Sequence, residues 1–360
     1  MSSNGNPCIL YGELYTKYKS EIISEVISKT NIEKNKLKHS KQNDVIIPCS
    51  GETAVDIAVA RCVPFDNVLL GGDLNIIRLH KYDGAFMAYQ LNSKRKIEIA
   101  KLAQGVSVVH LYGENLKSIN TFNPSLQEQQ KIVRLLSLLD ERIKVQNKII
   151  EDLKKLKSAI SKHLFVRKDL LETTICLSNI ATLKNGYAFQ SGKYNALGKW
   201  KILTITNVPG ERYINDENCN CIINLPNDIQ DHQVLKEGDI LISLTGNVGR
   251  VSLCKNGDYL LNQRVGLLQL AKNVNREYLY QILSSQRFEN SMIACGQGAA
   301  QMNIGKVDVE SYVLPYSSNG NNILWVAKIL HSYDERIINE LRRLTLLTMQ
   351  KQYLLTQMFI

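Results

Sequence analysis

The chain has 360 residues, which is enough for two ordinary domains, and it carries a formal net charge of +10. A moderately basic balance fits a polyanionic partner such as nucleic acid, although many soluble proteins carry a similar charge for solubility alone. The eight cysteines are scattered and form no paired Cys-x-x-Cys motif, which argues against a zinc site and a disulfide framework. No apolar stretch is long enough to span a bilayer and no secretion signal is recognisable, so we expect a cytoplasmic protein without a membrane partner.

Two segments of the chain alternate short apolar strings with Gly, Asn, Asp and Pro. The strings are too short for helices, so they predict β-strands, at residues 9–11, 44–47, 68–70 and 76–79 in the first segment. The second segment predicts strands at residues 202–205, 239–242, 259–261 and 265–268. A compact helix is predicted in each, over residues 86–101 and 276–293. We therefore predict two repeated domains of the α+β class.

Each domain is followed by a segment in which apolar residues recur every three or four positions, which predicts a long amphipathic helix. We call the line of recurring residues along each helix its seam. Each seam contains two polar positions, Gln146 and Lys157 in the first and Glu340 and Lys351 in the second. A helix of about 40 residues is about 60 Å long and outreaches a domain of this size. Packing of each helix on its own domain is therefore the less favoured interpretation. We predict that the two helices form an antiparallel coiled coil, with the domains at opposite ends.

The tetrapeptide Asp-Glu-Arg-Ile occurs at residues 140–143 and again, at the same place in the second long helix, at residues 334–337. The shared frame continues without a gap, so that Ile150 matches Leu344 and Leu164 matches Met358. A repeat of this length is a duplicated half-molecule and not the short period of a solenoid. We expect a partner that also has two equivalent halves.

Common catalytic and metal-binding signatures are missing. Ahead of Gly305-Lys306, Ala300 stands where a phosphate-binding loop needs glycine, and the Asn-Pro at residues 123–124 does not continue into a methyltransferase motif. The six histidines have no metal-ligand spacing, and no Gly-x-Ser-x-Gly elbow occurs. We predict no catalytic or metal-binding residue and interpret the chain as a binding protein. An enzyme with an unrecognised motif, a methyltransferase or nuclease, is the alternative.

Several polar loops have the chemistry that double-stranded DNA requires, namely Lys and Arg for phosphates and amides or hydroxyls for base edges. Glycines in the loops at residues 49–53 and 243–250 allow the backbone to approach closely. Each loop alone is equally well explained as a polar turn, and their joint occurrence in a repeated basic protein favours DNA contact. The predicted DNA-binding residues are Lys17, Ser50 and Thr53 in the first domain, and Lys184, Asn185, Tyr187, Lys193, Thr245, Asn247, Arg250, Gln263, Arg264, Gln297 and Gln301 in the second.

Three features together resemble the specificity subunit of type I restriction-modification systems, over essentially the whole chain. Residues 122–133 are similar to the family's Pro-x-Leu-x-Glu-Gln-x-x-Ile segment, which introduces a long helix. The repeated Asp-Glu-Arg-Ile is the second feature. The third is residues 236–250, where Lys-x-Gly-Asp-Ile-Leu-Ile-Ser leads into a Thr-Gly-x-x-Gly-Arg loop. The combination is specific, whereas each piece alone is not.

The resemblance implies a non-catalytic subunit with two target recognition domains, residues 1–124 and 169–320, each reading one half of a split DNA sequence. The helices, residues 125–168 and 321–360, are then expected to set the gap between the halves and to dock two copies of a modification subunit. S-adenosylmethionine, ATP and Mg are expected on partner subunits, with no cofactor on this chain. Motor-nuclease subunits are a further candidate partner.

Two departures from the family pattern leave alternatives open. The second domain opens with residues 177–186, for which the first domain shows no counterpart, so an inactive or truncated specificity subunit is one alternative. The second long helix begins at residues 319–323 without the Glu-Gln pair, which weakens the expectation of docking there. A structural coiled-coil adaptor, whose domains hold protein instead of DNA, is another alternative.

Overall fold

The structure is a computed structural model that describes residues 4–296 and 302–359, and the chain divides into two compact units. Unit 1 consists of residues 1–148 and 341–360, and unit 2 consists of residues 149–340. Both units combine short strands with helices, so the predicted α+β class is confirmed.

Unit 1 is built on a three-stranded and a four-stranded sheet. Its strands are β1 (Asn6–Ile9), β2 (Ser28–Thr30), β3 (Lys38–His39), β4 (Asp44–Pro48), β5 (Ser50–Gly51), β6 (Arg61–Val63), β7 (Leu69–Leu70), β8 (Leu74–Ile77) and β9 (Val109–His110). Its helices are α1 (Glu13–Thr16), α2 (Ala54–Ile57), α3 (Gly84–Asn92), α4 (Arg95–Lys101), α5 (Gly113–Leu116), the first part of α6 (Leu126–Leu164) and the last part of α10 (Gly320–Met358). The sheet orders are β6-β4-β8 and β2-β1-β7-β3, and β5 pairs with β9.

Unit 2 is built on two four-stranded sheets, β11-β18-β15-β16 and β13-β12-β17-β14, and a separate β10-β19 pair. These strands are β10 (Thr173–Cys176), β11 (Ala181–Asn185), β12 (Trp200–Leu203), β13 (Asn220–Ile222), β14 (Val234–Leu235), β15 (Ile240–Ser243), β16 (Val251–Leu253), β17 (Tyr259–Leu261), β18 (Val265–Leu270) and β19 (Val313–Tyr316). The helices are α7 (Arg276–Leu283), α8 (Gln286–Cys295), α9 (Lys306–Glu310) and the first part of α10 (Gly320–Met358), together with the last part of α6.

The central strand β15 of unit 2 is buried on both faces. Ile240 and Ile242 belong to the core that packs under helices α7 and α8, whereas Leu241, which points the other way, belongs to the core formed with β12 and β17. Successive side chains of a strand alternate between faces, so a sheet covered on both sides needs a continuous apolar string. This is why the strand appears in the sequence as an uninterrupted Ile-Leu-Ile.

The two units share one construction. The parallel pair β1-β7 corresponds to β12-β17, and the antiparallel pair β4-β8 corresponds to β15-β18. Matching backbone hydrogen bonds confirm the alignment, since Cys49 N donates to Asp73 O at 2.7 Å and Leu244 N donates to Arg264 O at 3.0 Å. The sheets differ at one edge: β11 pairs with β18 in unit 2, whereas within residues 4–148 no strand pairs with the outer edge of β8.

The structure corrects three predicted elements. The helix predicted over residues 86–101 is interrupted at Ser93, whose hydroxyl donates to Gln90 O at 2.9 Å and helps to end α3. The helix predicted over residues 276–293 is interrupted at Ser285, whose side chain accepts from Phe288 N and caps α8. The strand predicted over residues 202–205 ends at Leu203, because Thr204 and Asn207 form a capping box that starts a short 3₁₀ turn.

The predicted seam of the long helices is confirmed by burial and by pairing inside each unit. In unit 1, Leu136 of α6 and Leu355 of α10 are buried in one cluster with Phe86 and Tyr89 of α3. In unit 2, Leu164 of α6 is buried in the same core as residues 323, 326, 327 and 330 of α10.

An ion pair of the same kind joins the helices in each unit. Asp140 pairs with Lys351 at 2.6 Å in unit 1, and Asp334 pairs with Lys157 at 2.5 Å in unit 2. Within unit 1, Leu136 is buried with Leu355 and Asp140 pairs with Lys351, so the residue number rises along α6 as it falls along α10, which is the predicted antiparallel direction. In the repeat, Asp140 matches Asp334 and Lys157 matches Lys351, so the two pairs are copies of one another.

We predict that Lys351→Met destabilises the protein by about 3 kcal/mol, because it leaves two largely buried carboxylates without their cation. Lys351 Nζ lies 2.6 Å from both Glu21 and Asp140, and its side chain is 14% exposed. The matched control is Lys155→Met, which removes an exposed helical pair with Glu151 and should change stability little. Urea denaturation of both variants is the measurement. Equal losses in the two variants would contradict the role given to the buried pair.

Candidate nucleic-acid interface

Three loops of unit 2 meet at one end of the β11-β18-β15-β16 sheet. Asn185 at the end of β11 is paired with Gly266 near the start of β18, and Ser243 at the end of β15 is paired with Val265. The segments that continue beyond these positions therefore leave the sheet at the same end. We call residues 185–187, 244–250, 262–264 and 302–303 the unit-2 edge.

Backbone hydrogen bonds hold these loops together. Gln263 N donates to Tyr187 O at 3.0 Å, Leu244 N donates to Arg264 O at 3.0 Å, and Gly246 N donates to Met302 O at 2.9 Å. Thr245 adds a side-chain bond, because its hydroxyl donates to Asn303 Oδ1 at 3.1 Å. Seven of the predicted DNA-binding residues are thus brought to one edge: Asn185, Tyr187, Thr245, Asn247, Arg250, Gln263 and Arg264.

Gln263 and Arg264 are the exposed polar side chains at the centre of the unit-2 edge. Within the described part of the chain, neither side chain makes a hydrogen bond or an ion pair. Asn262 beside them is 9% exposed, and its side-chain oxygen accepts from Arg264 N at 3.2 Å. A fixed backbone with uncommitted amide and guanidinium groups is suited to base edges, because Gln matches adenine and Arg matches guanine with two hydrogen bonds each.

Tyr187 is held in place by a residue that sequence reasoning missed. Its hydroxyl donates to Asp228 Oδ1 at 2.8 Å, and this bond raises the pKa of Tyr187 above its ordinary value. Its ring lies 4.9 Å from the ring of Phe189, and both rings line a cleft of about 470 Å³ together with Lys193. Asp228 is far from Tyr187 in the sequence, so no local pattern could have found the contact.

Arg250 lies at the unit-2 edge but is already paired. Its Nε is 3.4 Å from Glu289 Oε1, and its side chain is 38% exposed. The preceding loop turns on Gly246 and Gly249, whose φ angles of 73° and 77° are in the left-handed region that favours glycine. A guanidinium has five N–H donors, so Arg250 can contact a phosphate or guanine either by sharing its group with Glu289 or by exchanging Glu289 for DNA.

Lys184 and Lys193 lie in clefts beside the unit-2 edge, and Lys193 shares its cleft with Tyr187. Lys184 lines a cleft of about 450 Å³ with Lys236, Arg276 and the carboxylate of Asp239, and burial raises the pKa of Asp239. The cluster of cations in this cleft was not predicted, because its members come from three separate parts of the sequence. Gln297 and Gln301 lie outside the described residues.

The predicted residues of unit 1 have partners within their own unit. The Ser50 hydroxyl is buried and donates to Asp73 Oδ2 at 3.2 Å, and Lys17 Nζ forms an ion pair with Glu13 at 2.8 Å. Thr53 caps α2, accepting from Asp56 N and donating to the Asp56 carboxylate at 2.6 Å. The Thr53 contact is a helix cap, and each of the three residues must give up or share its contact to bind DNA.

The edge of unit 1 differs in charge from the unit-2 edge. The matching backbone bonds place Asp73 where unit 2 has Arg264, so Gly71, Gly72 and Asp73 correspond to Asn262, Gln263 and Arg264. Asp73 has a φ of 56°, a conformation that Asp adopts more readily than most residues. A carboxylate in this position can accept a hydrogen bond from a cytosine amino group and repels phosphate.

Comparison with known proteins identifies the class. Residues 2–155 and 172–347 match the type I restriction modification DNA specificity domain, and the chain belongs to this family.

Within the described residues, no group of three or more His, Cys, Asp or Glu is placed to hold a metal ion. No helix in the same residues is long and apolar enough to cross a membrane.

One relative and two solved structures are similar to the chain. It is 25% identical over 307 residues to the type I restriction enzyme MjaVIII specificity subunit of Methanocaldococcus jannaschii, covering 78% of this chain and 69% of that protein. Its fold is similar to that of a type I restriction-modification S subunit from M. genitalium, with TM-score 0.60, 19% identity and coverage of 99% and 92%. A structure describing complex assembly and conformational transition of the type I R-M system has TM-score 0.59, 16% identity and coverage of 98% and 90%.

We predict that Gln263→Ala and Arg264→Ala each weaken binding to specific DNA by about 1 to 3 kcal/mol through loss of base contacts in one half-site. Gln269→Ala is the matched control, because Gln269 is an exposed residue of β18, the strand that follows Arg264, at the end away from the unit-2 edge. The measurement is fluorescence anisotropy of each variant with DNA that contains the sequence methylated by the complex. An equal effect at Gln269, or none at Gln263 in a folded variant, would remove the unit-2 edge from the interface.

Proposed function

We propose that this chain is the DNA-sequence-recognition subunit of a type I restriction-modification complex. Each unit contains one domain that reads half of a bipartite target in double-stranded DNA, and the chain itself is non-catalytic. The observation that carries the proposal is the convergence of uncommitted Gln263 and Arg264 with Asn185, Tyr187 and Thr245 at the unit-2 edge of a member of this family. Phosphate contacts position a protein on DNA, and base contacts of this kind specify the sequence.

The two domains read different half-sequences. The unit-2 edge offers an amide and a guanidinium, whereas the unit-1 edge offers two glycines and the Asp73 carboxylate. Hydrogen-bond donors and acceptors in the major groove differ for each base pair, so edges with different groups select different bases. An asymmetric bipartite target, and not a palindrome, follows from this difference.

A second candidate is a specificity subunit whose first domain is impaired. It is favoured by the outer edge of β8, which no strand within residues 4–148 covers, and by the commitment of Ser50 and Thr53 to local hydrogen bonds. Under this alternative, unit 2 still reads its half-sequence and the other half is not specified.

The long helices dock the subunits that supply the chemistry. The proposed partners are two copies of a modification subunit, which bring S-adenosylmethionine, and motor-nuclease subunits that use ATP and Mg. The cytoplasm is the proposed location, because DNA and these partners are found there. The helices also set the spacing between the half-sites, because an ion pair in each unit, Asp140 with Lys351 and Asp334 with Lys157, fixes α6 against α10.

Methylation mapping of a genome tests the proposal. We expect a strain that contains the modification subunit and this chain to carry adenine methylation at one bipartite sequence with a constant gap. A strain with the modification subunit alone is the control and should lack that methylation. Methylation specified by one half-sequence only would support the impaired first domain, and an unchanged pattern would contradict sequence recognition and favour the adaptor alternative.

A further inference from the structure

An apolar groove lies on the long helices within unit 1. It has a volume of about 910 Å³, and its apolar lining is Leu135, Leu138, Leu139, Val145, Leu346 and Leu347. Leu138, Val145 and Leu346 are 51%, 57% and 65% exposed. Exposed apolar side chains that cluster on a surface, and are not scattered singly, are typical of interaction sites.

The exposed part of the groove lies beside the contacts that hold the helices on the domain, although its lining also includes the buried Leu139 and Gln146. Leu136 and Leu355 are buried against Phe86 and Tyr89, whereas Leu135 and Leu138 lie on a different flank of α6. Along α6, residues 135, 138 and 145 recur at intervals that place them on one side of a helix. Two antiparallel helices that each present an apolar flank in this way resemble part of a helical bundle whose remaining helix belongs to another molecule.

The internal repeat provides a comparison surface in unit 2. The frame that aligns Asp140 with Asp334 also aligns Leu138 with Ser332 and Val145 with Asn339, and it aligns Leu346 with Asp152. These counterparts in unit 2 are exposed as well. At these three exposed positions the duplicated surface is therefore apolar in unit 1 and polar in unit 2, whereas the counterparts of Leu135, Leu139 and Leu347 are Ile329, Tyr333 and Leu153.

We propose that the unit-1 groove docks an amphipathic helix of a modification subunit, and that its counterpart surface in unit 2 docks the second copy more weakly. Assembly then takes place in two unequal steps. This inference rests on the proposed function, which places two copies of that subunit on the long helices. Glu141 and Arg142 border the apolar floor, so an occupant needs an apolar stripe with charged flanks, which an amphipathic helix provides.

The chain contains the exchanges that test this asymmetry. Leu138→Ser with Leu346→Asp gives the unit-1 groove the residues of unit 2, and Ser332→Leu with Asp152→Leu makes the reverse change. All four positions are exposed, so both double variants should keep the stability of the parent chain, which thermal unfolding checks. The probe is the purified modification subunit of the same system, titrated into each chain and followed by native mass spectrometry.

We expect the parent chain to form the one-to-one complex at a concentration at least about tenfold lower than the one-to-two complex, because burial of several leucine methyl groups is worth that much affinity. The first double variant should lose the tighter step. The reverse variant should strengthen the weaker step, so that the two steps approach each other.

Three results would overturn the inference. Equal steps in the parent chain would remove the asymmetry, and unchanged steps in both folded variants would remove the groove from the interface. Loss of a dimer of this chain in the first variant, with subunit binding intact, would make a second copy the occupant. Absence of any complex with the parent chain would instead contradict the docking role in the proposed function, independently of the asymmetry.

Discussion

Each long helix carries a largely buried aspartate that binds a lysine of the other helix and a side chain of the domain in the same unit. Asp140 accepts from Tyr89 at 2.6 Å besides pairing with Lys351, and Asp334 accepts from Gln281 at 2.6 Å besides pairing with Lys157. A buried charge is costly unless it is paired and hydrogen-bonded, so a shift of either helix along the other leaves a carboxylate without partners. Helix register and the attachment of each domain therefore depend on the same two carboxylates.

The two domains place the side chains that donate to these aspartates, Tyr89 and Gln281, at equivalent positions. Tyr89 and Gln281 each lie six positions after the residue that caps the first helix of the pair, Asp83 in unit 1 and Asn275 in unit 2. In unit 2 the network extends to Arg212, which reaches Asp334 at 3.0 Å and Glu277 at 2.6 Å. Burial alone lowers the pKa of Arg212, but the hydrogen bonds and charge of Glu277 outweigh it and raise that pKa, so the guanidinium stays charged. The duplicated fold thus repeats an anchoring point, while the loops at the matching edges of the two units have diverged.

The long helices and the α+β class could be predicted because their signals are local: spacing of three and four along the seams, and short apolar strings between turn residues. The breaks at Ser93 and Ser285 could not, because a serine inside an apolar-periodic segment can either face solvent or cap a new helix. The sequence suggested the loops of the unit-2 edge one by one, but it could not show that they meet. Their meeting depends on strand pairing between residues that are distant in the sequence. The same pairing shows that Asp73 of unit 1 occupies the position that Arg264 occupies in unit 2, and composition alone does not reveal this correspondence.

The central claim is that paired helices, held by the two aspartate–lysine pairs, set the distance between the half-sites. The same number of residues separates Asp140 from Lys157 as separates Asp334 from Lys351. An insertion between the two pairs therefore keeps both ion pairs only if α6 and α10 are lengthened by the same number of residues. Four-residue insertions after Gln146 and after Glu340, made in one chain, add about 6 Å of helix to each. Methylation mapping should then show the same two half-sequences with the gap longer by about one or two base pairs, given about 3.4 Å per base pair. A folded double-insertion variant that still methylates only the original spacing would contradict the claim.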